Sequence, residues 1–266
     1  MLVSPNSGEI LEGCPYVNNF IFFDTTRKHK YEKGKGEKKS FLFYVFQLRK
    51  NKYDKAYILK RSFSSALLCF LTGIKERIGY NTEGRGFLLT GKVKYDTYKH
   101  ESLCFLDVLK EEGTEIKDTY LENWVTEKDT EKIYELFKKN NISGETKKAV
   151  VNVTATNEGK VWDINNFARI IEYLANEKCI QVIYIGAVSD KVIYESIPFK
   201  ATLKIMPKNL CGETTIKESL ALLKEVDFII GNDSGNLHMA SAAGTQVIGL
   251  YGPMPFEKWK ALGNNN

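Results

Sequence analysis

The chain has 266 residues, 43% apolar and 27% charged, with a formal charge of +5. That length suits two domains of roughly 120 to 150 residues, and the composition is that of a globular protein without a long disordered tail. No run approaches the ~18 uninterrupted apolar residues of a membrane-spanning helix, and the start lacks the order of a signal peptide, so a cytoplasmic protein is expected.

Within the first half, Asn19 to Asp24, Lys55 to Leu59 and Gly86 to Leu89 read as strands. Phe41 to Arg49, Ser64 to Leu71 and Glu101 to Glu112 read as helices. The basic stretch Arg27 to Lys39, with a lysine and glycine run at Lys33 to Lys39, is either a solvated surface or a means of steering toward phosphate groups or an anionic membrane. Lys139 to Lys148 carries little that can be buried and reads as a linker, which sets the expected domains at 1–144 and 145–266.

From Ala149 the pattern becomes regular. The β-branched runs Ala149 to Val153, Cys179 to Ile185, Asp227 to Gly231 and Gln246 to Leu250 alternate with Asp163 to Asn176, Ile216 to Glu225 and Gly235 to Ala243, whose apolar spacing is helical. Alternating strand and helix predict a doubly wound α/β domain with a parallel sheet and a ligand at the C-terminal ends of its strands. The five cysteines, Cys14, Cys69, Cys104, Cys179 and Cys211, are odd in number and far apart, and read as reduced thiols, mostly buried.

Four strand-to-helix loops are candidates for chemistry. The segment from Gly231 to Ala240, GNDSGNLHMA, leaves a strand and opens a helix. Helical N-terminal amides there suit a diphosphate, while Asp233 or Ser234 could equally be the helix N-cap. His238 lies one turn in, as a ligand contact or a structural histidine. In Thr154 to Trp162, hydroxyls and Lys160 suit a departing diphosphate; the alternative is an ordinary connection with an exposed lysine. Ser189 and Asp190 are candidate nucleotide contacts, Asp190 being alternatively a helix cap, and Asn209 to Thr215 is a fourth loop at the same edge. There is no acidic pair suited to a divalent metal, no phosphate-loop signature and no nucleophile elbow, so metal-independent chemistry without a cofactor is expected.

Taken in order, these residues resemble a known family. Thr156 to Trp162 with Phe167, Gly186 with Asp190, Asn209 to Gly212 with Thr214, Asp233-Ser234-Gly235 with His238, then Gly244 and Tyr251-Gly252-Pro253 are similar to the ADP-heptose:lipopolysaccharide heptosyltransferases of glycosyltransferase family 9, particularly the heptosyltransferase II branch. In the first half, Pro15, Tyr53-Asp54, Ser62 to Leu68, Gly73, Arg77-Ile78-Gly79, Arg85, Leu88-Leu89 and His100 extend the resemblance to nearly the whole chain.

The resemblance implies a GT-B architecture: two facing Rossmann-like domains, with the lipopolysaccharide inner-core acceptor on the N-terminal side and the ADP-heptose donor on the C-terminal side. It implies inverting, metal-independent heptose transfer, at the cytoplasmic face of the inner membrane in peripheral contact with it. Thr156, Lys160, Asp233, Ser234, Gly235 and His238 are then the expected donor-binding residues, with Ser189 and Asp190 as further nucleotide contacts. The aspartate that acts as the family's general base has no match here. The first strands and the C-terminal end also lack a match, so an incomplete N-terminal domain and a shortened C-terminus are expected. The alternatives are a catalytically silent sugar-nucleotide-binding remnant and a related enzyme using another nucleotide sugar. No nucleic-acid reader motif accompanies the charge, and no nucleic-acid partner is expected.

Overall fold

The computed structural model describes residues 1–23 and 39–263. The chain divides into two compact units: Met1–Phe22 with Tyr120–Phe256 and the segment from Lys260 onward, and Phe23–Thr119 with Glu257–Trp259. This division differs from the one expected at residue 145. The reason lies in two elements whose buried sides face the C-terminal sheet unit, described below. Apart from Lys39, the basic stretch Arg27 to Lys39 lies outside the described residues, as does Asp24.

The chain opens with β1 (Leu2–Val3), α1 (Pro5–Ile10) and β2 (Ile21–Phe22), the two strands pairing in parallel. This is what becomes of the strand expected over Asn19 to Asp24. The second unit follows, with α2 (Phe41–Lys50), β3 (Lys55–Ile58), α3 (Phe63–Leu71), β4 (Glu76–Tyr80), β5 (Gly91–Val93) and α4 (Glu101–Lys110). Its three strands form a parallel sheet in the order β3-β4-β5. Ile78, Tyr80 and Val93 pack with Cys104 and Val108 of α4, while Ile58 packs with Ala66, Leu88 and Leu89. Gly79 lets β3 and β4 approach, since a Cβ there would stand 2.9 Å from the Ile58 carbonyl oxygen.

The strand expected at Gly86 to Leu89 is instead a 3₁₀ turn, Arg85–Leu88. Gly84 enters it at φ 68°, and the fully buried Arg85 guanidinium ties it down by donating to the carbonyls of Tyr80, Lys60 and Ser62. The edge strand β5 begins at Gly91, three residues after the turn ends. From the far end of the chain, Lys258 joins this unit by an ion pair to Glu101 at 3.0 Å and donor bonds to the Asp96 and Lys99 carbonyls.

The remaining elements complete the first unit: α5 (Glu127–Lys139), β6 (Lys148–Asn152), α6 (Ile164–Asn176), β7 (Gln181–Tyr184), α7 (Lys191–Glu195), β8 (Lys208–Asn209), α8 (Ile216–Lys224), β9 (Phe228–Asn232), α9 (Gly235–Ala243) and β10 (Gln246–Leu250). The last helix, α10 (Phe256–Trp259), has all but its first residue in the second unit. The five strands pair in parallel in the order β10-β9-β6-β7-β8. Strand residues alternate between the faces. Ala149, Val151, Val182, Tyr184 and Ile230 pack with Phe167, Ile171 and Leu174 of α6, whereas Val150, Ile183 and Ile229 pack with α8 and α9. Helices thus cover both faces of a parallel sheet.

Both the early segment and the region before β6 belong here for physical reasons. The Glu9 carboxylate accepts from the amides of Ile216 and Lys217, placing a negative charge at the N-terminus of α8. Helix α5 starts at a capping box between Thr126 and Asp129 and buries Ile133 and Phe137 in the cluster that holds Leu222 and Leu223. The expected linker is therefore the end of α5 and a turn into β6, whose first residue, Lys148, is buried.

Candidate functional site

In a sheet ordered β10-β9-β6-β7-β8, the chain moves outward from β6 through β7 to β8, then returns to the other side of β6 for β9 and β10. The topological switch point lies between β6 and β9, where successive connections leave in opposite directions and open a crevice. Two of the four candidate loops follow these strands: Val153 to Asp163 after β6, and Asp233-Ser234 after β9.

The loops meet through side chains. Lys160 Nζ lies 2.6 Å from Asp233 Oδ2, with the aspartate side chain only 5% exposed and the lysine 20%. On the other side of the same carboxylate, His238 Nε2 stands 3.8 Å from Asp233 Oδ1. The Asp233 amide donates to the Leu250 carbonyl, fixing the turn against the end of β10. A Cβ on Gly252 would stand 3.1 Å from the Gly159 carbonyl oxygen, so the Tyr251-Gly252-Pro253 turn rests on the Lys160 loop.

Neither residue read as a candidate N-cap makes a cap bond. Ser234 occupies the N-cap position of α9, but its side chain does not bond to the helix. Its Oγ instead lies 3.0 Å from Asn152 Nδ2. The Asp233 carboxylate is engaged by Lys160. The first turn of α9 therefore carries its positive dipole end beside a lysine, and neither Asp233 nor Ser234 caps it.

The sequence-derived residues separate into those brought together and those left apart. Lys160, Asp233, Ser234, Gly235 and His238 assemble at the ends of β6 and β9. Thr156 is exposed on the same loop as Lys160. Asp190 is buried, and its Oδ2 accepts from the Ala187 amide at 2.9 Å, so its carboxylate serves its own turn. Ser189 is exposed beside it. The loop Asn209 to Thr215 packs on that turn, with the Gly212 amide donating to the Gly186 carbonyl, and Thr215 caps α8 with Glu218.

Sequence reasoning gave no separate role to the polar residues beneath the loops, although Asn232 lies within the Gly231 to Ala240 segment. Asn152 and Asn232, at the last positions of β6 and β9, are 1% and 0% exposed and bond to loop atoms. The available signal was an asparagine closing an apolar, fully buried strand, a place where an unsatisfied amide would be costly. Gly231, also overlooked as a packing residue, has no room for a Cβ, which would fall 2.4 Å from the Asn152 carbonyl oxygen.

A cavity of about 490 Å³ lined by Lys147, Lys224, Asp227, Thr245 and Gln246 lies at the opposite, N-terminal ends of the strands, and none of the candidate residues lines it. Among the described residues, no group of three or more His, Cys, Asp or Glu is placed to hold a metal ion, and no helix is long and apolar enough to cross a membrane.

Comparison with known proteins bears on the fold and the family. The lipopolysaccharide heptosyltransferase 2 of Escherichia coli (strain K12) is 27% identical over 218 residues, a match covering 77% of this chain and 62% of that protein. The chain thus spans about 62% of the length of this relative. Among solved structures, E. coli ADP-heptose lps heptosyltransferase II superposes with a TM-score of 0.79 at 22% identity, over 99% of this chain and 78% of that one. A glycosyl transferase family 9 protein from Veillonella parvula gives 0.80 at 17% identity, over 97% and 74%. At these identities the superpositions establish the shared α/β fold with parallel sheets. The profile of glycosyltransferase family 9 (heptosyltransferase) matches residues 45–266, and the chain belongs to that family.

Proposed function

We propose that the protein is a glycosyltransferase that takes heptose from ADP-heptose and transfers it to the inner core of lipopolysaccharide, with inversion and without a metal ion. The observation that carries this reading is the meeting of Lys160, Asp233, Ser234 and His238 at the switch point of a doubly wound sheet, in a chain of the heptosyltransferase family. The unit built on β6 to β10 holds the donor, and the unit built on β3 to β5 faces the acceptor.

In this reading an acceptor hydroxyl attacks the anomeric carbon in line with the bond to the diphosphate. That carbon–oxygen bond breaks, ADP departs with the bonding electrons, and the proton of the attacking hydroxyl is lost to water. Negative charge grows on the leaving phosphate, where Lys160, Thr156 and the N-terminus of α9 stabilise it. Asp233 holds the Lys160 ammonium in place, and His238 contacts the phosphate or sugar. Ser189 supplies a further nucleotide contact, and Asp190 shapes its turn. No residue of the chain is assigned as the general base.

The reading includes a cytoplasmic protein in peripheral contact with the inner membrane. In support, α2 exposes Leu42, Phe43 and Phe46 beside Lys39, Arg49 and Lys50, a combination of apolar and basic groups that suits an anionic bilayer surface.

Incubating the protein with ADP-heptose and a heptose-deficient lipopolysaccharide acceptor tests the whole reading. ADP release that depends on acceptor and falls on Lys160→Ala is expected. Donor bound without turnover would support a sugar-nucleotide-binding remnant instead. No binding of ADP or ADP-heptose would overturn the donor site, and selective binding of another nucleotide sugar would reassign the donor.

A further inference from the structure

The two loops at the switch point are held by a reciprocal pair of buried amides. Asn152 ends β6, yet its side chain reaches the loop after β9: Nδ2 donates to Ser234 Oγ at 3.0 Å, and Oδ1 accepts from Asn236 Nδ2 at 2.9 Å. The same Nδ2 donates to the Thr154 carbonyl at 2.8 Å. Asn232 ends β9, yet it reaches the loop after β6: Nδ2 donates to the Val153 carbonyl at 2.8 Å, and Oδ1 accepts from the Trp162 amide at 3.0 Å. Each strand thus anchors the loop that follows its neighbour. The crossing is short because Gly231, opposite Asn152 in the parallel register, has no side chain.

We propose that Asn152 and Asn232 are positioning residues for the donor diphosphate, and that Asn152 acts through Ser234 by drawing its hydroxyl away from the start of α9. A serine at an N-cap position ordinarily turns its oxygen onto the first-turn amides. Here Ser234 Oγ accepts from Asn152, its side chain makes no cap bond, and its own proton is left to donate. The helix N-terminus is thereby kept for an external anion, and both loops are fixed before the ligand arrives. A purely structural role would be met equally well by any satisfied buried pair. It would not require the amide of one strand to hold the cap residue of the next. The inference rests on the donor-site reading given above, although its structural half concerns the free protein alone.

The test is a double-mutant cycle on the full chain, with Asn152→Ala, Ser234→Ala and both together. ADP is the probe for binding by calorimetry, and amide hydrogen exchange of Gly235 to Leu237 is measured without ligand. Loss of Asn152 should weaken ADP binding about tenfold, and by less than about twofold when Ser234 is already alanine, because partners in one network couple. In the ligand-free Asn152→Ala protein, the released Ser234 hydroxyl should cap α9 and slow first-turn exchange about tenfold, an effect absent from the double variant. Additive effects on ADP binding, or unchanged first-turn exchange in Asn152→Ala, would overturn the proposal. If the wild type fails to bind ADP while the exchange pattern appears as expected, the donor-site reading falls and the Asn152 to Ser234 latch stands.

Discussion

Replacing Lys160 by methionine removes the ammonium 2.6 Å from Asp233 Oδ2 while keeping most of the side-chain volume. The carboxylate left behind is 5% exposed, so water replaces little of the lost interaction. Removing one partner of a buried ion pair costs about 3 to 5 kcal/mol, because an uncompensated charge is left behind. Lys160 is itself 20% exposed, so part of that attraction is already screened, giving an expected destabilisation of about 2 to 4 kcal/mol. The converse change, Asp233→Asn, strands a lysine that is 20% exposed and mounted on a flexible stem able to turn to water, so about 1 to 2 kcal/mol is expected. Native-state hydrogen exchange at Val150, Val151 and Ile230, in the core of β6 and β9, reads both values. Equal losses, or a larger loss for Asp233→Asn, would refute the claim that burial of the carboxylate governs this pair.

Gly231→Ala should cost about 1 to 3 kcal/mol and lower the thermal midpoint, since the new methyl meets the Asn152 carbonyl oxygen at 2.4 Å and must push β6 from β9; an unchanged midpoint would refute the close-approach account. At the start of α5, burial raises the Asp129 carboxyl, but hydrogen bonds from Thr126 and the Lys217 ammonium outweigh it and hold the group below the usual range. Its native form therefore binds fewer protons than the unfolded chain, so its stabilisation is present above about pH 4 and is lost as pH falls through the lower native value. Asp129→Asn should accordingly cost about 1 kcal/mol at pH 7, with the gap closing in urea titrations at lower pH. Among the thiols, Cys179 is exposed, whereas burial pushes Cys69 up to about 11 and Cys211 up to about 12. Mass spectrometry after brief alkylation of the native protein should find Cys179 labelled first, and early labelling of Cys211 would contradict its placement in the core.

What the chain settles by itself is local. Gln246 to Leu250 and Gly235 to Ala243 appear where their apolar spacing places them, because period-two and helical patterns dictate which faces can be buried. The loops carrying Lys160 and Asp233 were legible for the same reason, since each interrupts a regular strand-to-helix alternation with glycines, hydroxyls and charge. Where pattern and burial diverge, local reading failed. Glu76–Tyr80 is a strand despite two charges, because its later residues are enclosed by neighbours distant in sequence. Gly86 to Leu89 looks extended, yet the Arg85 guanidinium and a left-handed Gly84 coil it into a turn.

Only the tertiary structure decides the strand order, and with it the switch point between β6 and β9. The same holds for Glu9 on α8, a contact across 207 positions that assigns the first residues to the C-terminal sheet unit, and for the asparagine pair that crosses between loops. Such contacts join groups whose separation along the chain carries no periodic trace. A buried amide or carboxylate finds its partner through the packing that buries it, and that packing exists only once the sheet has formed.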